Sequence, residues 1–184
     1  MGRKRMKVYF ARHGETKFNL KKILMGQRYD VDLNRTGIAQ AEALALIVPR
    51  EVNIIFCSTL KRAFHTAMIV SDKLRVAVKS SDELEERDLG NLSGKSWAEV
   101  EKLTGVSFPY IEEHFDIDLS KLKLEDIGVV KLRLMHFIAG LKRNYSDKVP
   151  LVVTHSGIIR VMYSLYPNTP KQDVKNASLH IFEI

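Results

Sequence analysis

Three segments far apart in the chain carry residues suited to phosphoryl chemistry. Arg12, His13 and Gly14 follow the apolar run "VYFA"; Ser58, Thr59 and Arg62 follow "NIIFC"; His155, Ser156 and Gly157 follow "PLVVT". An unprotonated imidazole is a competent nucleophile near neutral pH. Guanidinium groups beside it neutralise the oxygens that carry charge in a phosphoryl-transfer transition state, and they disfavour protonation of the ring. A leaving alkoxide needs a proton, so a carboxyl group must serve as general acid and later activate water. The acidic run "DELEERDLG" at 82–90 supplies candidates in a loop ending at Gly90. No metal or other cofactor is required, and two histidines, two arginines and one glutamate make a poor cation site because the guanidinium groups repel the ion.

These residues meet only if the elements before them lie side by side. The pattern predicts strands at 6–12, 53–57, 76–79, 150–154 and 179–184, and helices at 36–48, 60–74, 96–103, 123–145 and 157–165. Such alternation argues for an α/β sandwich with a largely parallel sheet. "SWAE" at Ser96 to Glu99 has capping-box spacing, and Ile127, Val130, Leu134, Ile138 and Leu141 share one helical face. "NIIFC" and "PLVVT" read as central strands buried on both faces. In open parallel sheets ligands bind beyond the carboxyl ends of the strands, which is where both histidines and both arginines fall. Gly14 is expected to let the backbone turn and approach a ligand closely. Residues 104–122 give the weakest pattern.

Bulk properties narrow the class. A chain of 184 residues, 45% apolar, suits one domain with a sizeable core. No apolar stretch approaches the roughly 18 residues that span a bilayer, no signal peptide is evident, and a soluble cytoplasmic protein is expected. The lone cysteine, Cys57, allows no intrachain disulfide and reads as a buried thiol. Of the net charge of +7, four charges come from Arg3, Lys4, Arg5 and Lys7, leaving +3 for the remainder. Residues 1–5 read as a disordered basic leader. The modest excess suits a protein that handles anionic substrates.

"ARHGETKFN", "CSTLKRAFHTA", "LEERDLGNLSG" and "VVTHSGIIR", in this order over nearly the whole chain, resemble the signature segments of the histidine phosphatase superfamily, the phosphoglycerate-mutase-like family. "MGQRYDVDLNRTGIAQA" and "NASLHIFEI" resemble its linking segment and closing strand. The resemblance implies one domain over 1–184, a three-layer α/β/α sandwich with a mostly parallel sheet. It implies a metal-independent phosphomonoester hydrolase in which His13 becomes phosphohistidine, Arg12 and Arg62 grip the phosphoryl oxygens, and His155 donates to the same phosphate. Glu86, four residues before Gly90, is the implied general acid, with Glu85 as the alternative. Asn19, three residues after Thr16, is a candidate substrate ligand, and Thr16, Ser58 and Ser156 are further donors.

Two other readings remain. A phosphoglycerate mutase shares the machinery, but the 69 positions from Glu86 to His155 resemble the shorter phosphatase branch, and no adjacent arginine pair lies between them. "KLKLEDIGVV" departs from the Gly-Glu-Ser segment that many small-molecule phosphatases of the family carry there. A lid from 104–122, with Phe108, Tyr110, Ile111, His114 and Phe115, implies an organic substrate body larger or less acidic than 3-phosphoglycerate, with nothing beyond the phosphate grip to hold a second strong anion. The third reading is a non-catalytic phospho-ligand or nucleic-acid binding module, drawing on the leader with Lys121, Lys123, Lys131, Arg133, Lys142, Arg143 and Lys148; a pure binder would not need Glu86 or His155. The expected partner is a phosphorylated small molecule, with a homodimer allowed, no membrane, and nucleic acid disfavoured. His65, His114, His136 and His180 read as structural, and Trp97 as packing beneath its helix.

Overall fold

The computed structural model describes residues 5–115 and 117–184. Arg3 and Lys4 of the expected leader lie outside the described residues; Arg5 is exposed and pairs with Glu183 at 3.5 Å. Five strands form one sheet: β1 (Lys7–Arg12), β2 (Ile54–Ser58), β3 (Val78–Ser81), β4 (Pro150–Thr154) and β5 (Leu179–Glu183), in the order β3-β2-β4-β1-β5. All neighbouring pairs are parallel except β1 with the edge strand β5.

Period-2 side-chain alternation divides the core into two layers. Val8, Phe10, Ile54, Phe56 and Val152 face helices α6 (Ile127–Asn144) and α7 (Ser156–Leu165), against Leu134, Phe137, Ile158 and Ile159. Tyr9, Ala11, Ile55, Cys57, Leu151 and Val153 face helices α2 (Arg35–Ile47) and α3 (Lys61–Leu74), against Leu44, Ala45, Ala63, Ala67 and Val70. Burying each large apolar side chain contributes about 1.5–3 kcal/mol, so the double coverage pins the register. Cys57 is a buried free thiol whose pKa burial pushes up to about 12. A third, smaller cluster of Leu24, Leu89, Leu92, Val100, Phe108 and Ile111 sits under α4 (Trp97–Thr104) and α5 (Phe108–Glu113). Among the described residues, no helix is long and apolar enough to cross a membrane.

Several boundaries differ from the sequence reading. A one-turn helix, α1 (Lys17–Leu20), follows β1, capped by Thr16. Within 104–122, α5 begins with Pro109 in its first turn, where a missing N–H costs nothing. Strand β3 starts two residues later than expected. Helix α6 starts at Ile127 rather than 123, because Asp126 caps it and the Glu125 backbone N–H is already bonded to the Asp88 carbonyl at 2.8 Å.

The expected role of Gly14 also changes. A Cβ there would collide with the Gly37 carbonyl, and a Cβ on Gly37 would collide with the Glu15 carbonyl. The two glycines let the start of α2 press against the chain leaving β1. Gly37→Ala should therefore cost about 2 kcal/mol through overpacking against immovable backbone, lowering the Tm by about 4–8 °C in a chain of this size. Circular dichroism melting checks this, and an unchanged Tm would contradict the close approach.

Candidate active site

The ladder brings the three strand ends together. Arg12 pairs with Thr154 and Cys57 with Val153, and the His13 N–H extends the ladder to the Thr154 carbonyl at 2.9 Å. His13 and His155 therefore emerge side by side, both buried, with ring centroids 5.2 Å apart.

His13 Nδ1 lies 2.7 Å from the Gly14 carbonyl oxygen. A carbonyl can only accept, so Nδ1 carries the proton and the Nε2 lone pair is free. Burial, then the charges of Arg62 and Arg12, hold the ring pKa well below the usual histidine value. His155 takes the same Nδ1–H tautomer. Ser58 Oγ accepts from the Leu60 N–H at 3.2 Å and can give its own proton to His155 Nε2 at 2.8 Å. His155 Nδ1–H is then a buried donor with no partner among the described residues. Burial, followed by the Arg62 charge, keeps His155 neutral as well.

Both guanidinium groups are held by backbone. Arg62, 1% exposed in the first turn of α3, donates from Nη2 to the Gly26 carbonyl at 2.8 Å and from Nη1 to the Tyr29 carbonyl at 3.3 Å. Arg12 donates from Nη1 to the Val174 carbonyl at 2.9 Å. Each keeps a buried Nε–H without a partner among the described residues. Burial pushes the Arg62 pKa down to about 10, so the group stays charged at neutral pH.

Of the two acid candidates, Glu86 reaches the site. Its carboxylate accepts from the Gly157 N–H at 3.1 Å and the Arg87 N–H at 2.9 Å. A Cβ on residue 157 would meet its Oε1 and push the carboxylate from this position. Burial raises the Glu86 pKa. Glu85 instead accepts from Thr59 Oγ1 at 2.5 Å. The Glu86 backbone carbonyl takes hydrogen bonds from Gln27 Nε2 at 2.8 Å and Arg133 Nη2 at 3.2 Å. Arg133, counted above in a basic surface, is thus turned inward, paired with Glu125 and bonded to the Glu83 carbonyl.

A cavity of about 640 Å³ opens from these groups. Arg12, His13, Asn19, Arg62, Glu86 and Ser156 line it. Thr16 does not: it is fully buried, and its hydroxyl caps α1 while Asn19 Oδ1 accepts from the Thr16 N–H at 3.1 Å. Of the expected lid residues, Phe108, Ile111 and Phe115 face the cavity, whereas Tyr110 stacks on His114 at 3.7 Å. Trp97 packs against Phe108 and also lines the wall. The expectation that no cation lies beyond the phosphate grip fails: Lys22, Arg87, Arg160, Lys171 and Lys175 also line the cavity. Sequence reasoning missed Glu112 and Arg160, because their meeting depends on how α5 folds onto α7. His180 is a structural residue, bonded to the Tyr163 hydroxyl at 2.8 Å and Ser178 Oγ at 2.7 Å.

Comparison with known proteins identifies the family. A phosphoglycerate mutase-like protein of Arabidopsis thaliana is 30% identical over 96% of this chain and 79% of its own length. A probable phosphatase of Schizosaccharomyces pombe is 35% identical over 85% of this chain and 71% of its own. The solved structure of YhfR from Bacillus stearothermophilus shares the fold with a TM-score of 0.83, covering 97% of this chain and 91% of that one at 23% identity. The model of the histidine phosphatase superfamily (branch 1) matches residues 8–184, and the chain belongs to that superfamily.

Proposed function

We propose that the protein hydrolyses phosphomonoesters through a phosphohistidine intermediate on His13. The observation that carries this reading is the free Nε2 of a buried, neutral imidazole set beside the buried Arg62 and half-buried Arg12 guanidinium groups. Nε2 attacks phosphorus while the ester P–O bond breaks. The Nε–H groups of Arg12 and Arg62 and the Nδ1–H of His155 take the equatorial oxygens, as charge-assisted donors in a water-poor site. Glu86, kept protonated by burial, gives its proton to the leaving oxygen. The resulting carboxylate then takes a proton from water, which attacks phosphorus and breaks the P–N bond, restoring His13.

Hydrolysis is favoured over mutase chemistry by the apolar wall of Leu24, Leu89, Trp97, Phe108, Ile111 and Phe115, which suits an organic body better than a small acid. The mutase reading draws on the lysines at the cavity rim and on the name of the Arabidopsis relative. The two differ in one requirement, since a mutase must be primed by a bisphosphate.

Phosphate release from p-nitrophenyl phosphate should proceed in EDTA without 2,3-bisphosphoglycerate. Rapid quenching should trap acid-labile phosphate on the protein, and His13→Ala should lose the trapped phosphate and at least about 10³ of the turnover. Near wild-type turnover in His13→Ala would overturn the mechanism, and dependence on the primer would favour the mutase.

The pH profile has a definite sign. Activity falls at low pH as His13 protonates, through a pKa well below the ordinary histidine value. For alkyl esters kcat/KM also falls as pH rises through the elevated Glu86 pKa, because the acid is then lost. Glu86→Gln should slow alkyl esters by about 10²–10³ and abolish that alkaline limb, with a much smaller effect on p-nitrophenyl phosphate. Equal losses on both substrates would refute the assignment.

A further inference from the structure

Helix α5 carries a carboxylate that the catalytic cycle does not use. Glu112 lines the cavity with only 16% of its side chain exposed. Its Oε1 accepts from Ser156 Oγ at 2.8 Å, and its Oε2 accepts from Arg160 Nη2 at 3.3 Å. Ser156 lies between His155 and Gly157, whose N–H holds Glu86, so the Glu112 charge sits one residue along α7 from the general acid. It is close enough to act on both Arg12 and Glu86.

Arg160 does not cancel this charge. Its guanidinium is shared between Glu112 and Glu113, the latter at 3.6 Å, leaving two carboxylates to one cation. Of the other cavity cations, Arg12 feels the Glu112 charge but belongs to the phosphate grip, and Arg87 donates to the Glu125 carbonyl at 2.7 Å. Lys22, Lys171 and Lys175 are exposed; Lys22 lies over the Trp97 ring and Lys175 faces Asp173. Charges in water are screened over about 8–10 Å, whereas a largely buried carboxylate is not. Glu112 lies on the cavity wall beside Ser156, where the body of a substrate gripped at its phosphoryl group can meet it.

We propose that Glu112 selects the substrate class: phosphomonoesters whose body is uncharged, hydroxyl-bearing or cationic beside α5 are accepted, and phosphorylated carboxylic acids are disfavoured. Selection here works through repulsion as much as attraction. A substrate carboxylate meets a fixed like charge, while a hydroxyl can donate to it. The inference rests on the phosphatase reading and adds the residue that discriminates.

The test uses glycerol 3-phosphate and 3-phosphoglycerate, which differ in a hydroxymethyl against a carboxylate, as competitive inhibitors of p-nitrophenyl phosphate hydrolysis. The wild type should bind glycerol 3-phosphate more tightly. Glu112→Gln, which retains hydrogen-bonding capacity toward Ser156 and Arg160, should shift the ratio of inhibition constants about tenfold toward 3-phosphoglycerate. Glu113→Gln, altering a more exposed carboxylate, should shift it by less than about threefold. An active wild type whose ratio is unmoved by Glu112→Gln would overturn the inference and leave the phosphatase reading standing. A wild type that releases no nitrophenol would overturn both.

Discussion

A buried guanidinium, Arg62, and a half-buried one, Arg12, which bond backbone carbonyls instead of carboxylates, are the constraint on which the molecule depends. Pairing Arg12 and Arg62 with acids would stabilise them, but it would also neutralise the charge that the proposed phosphoryl grip needs. The fold therefore satisfies part of each group with carbonyl oxygens from Gly26, Tyr29 and Val174. Leaving a buried cation without a full counter-charge costs several kcal/mol, and the two doubly covered core layers must offset that cost. Two long loops owe their course to this arrangement. The segment after α1 must return to place its carbonyls beneath Arg62. The segment before β5 must pass over Arg12, where the Asn176 side chain also bonds the His13 carbonyl at 3.1 Å.

The same charges set the protonation states. Burial is the largest cause that lowers the pKa of either histidine, and the two arginines act in the same direction. Glu86 responds oppositely, because burial favours its neutral acid form. One pocket thus biases a histidine toward its base form and a carboxyl group toward its acid form, the pairing that the proposed phosphoryl transfer to nitrogen calls for. The acid must also be aimed, and Arg133 and Glu125 do this by tying the loop 83–90 to α6: the Asp88 N–H donates to Glu125 Oε2 at 3.0 Å and Arg87 Nε donates to the Glu125 carbonyl at 2.7 Å.

What was legible in the sequence follows from what is local or periodic. β4 was read with its exact limits from the run "PLVVT", and the chemistry at the strand ends was visible because parallel sheets bind ligands there. The preference for Glu86 over Glu85 came from a resemblance; the physical reason, a Gly157 N–H held to the carboxylate, exists only in three dimensions. Gly14 was read as a glycine for a ligand when its neighbour is Gly37, a contact between residues 23 positions apart that no local pattern encodes. Arg133 looked like a surface charge because a helical arginine gives no sign of which way it turns. Glu112 and Arg160 went unnoticed for the same reason. Their partnership requires α5, whose six residues are too few to show a period.

The central claim is that His13 Nε2 is the atom that meets phosphorus. A crystal structure with vanadate tests it most directly, since a trigonal-bipyramidal vanadate resembles the in-line transition state. The account predicts vanadium bonded to His13 Nε2, equatorial oxygens within hydrogen-bond distance of Arg12, Arg62 and His155 Nδ1, and an apical oxygen facing Glu86. Vanadate bound elsewhere in the cavity, or bonded to His155 with His13 Nδ1 still on the Gly14 carbonyl, would contradict it.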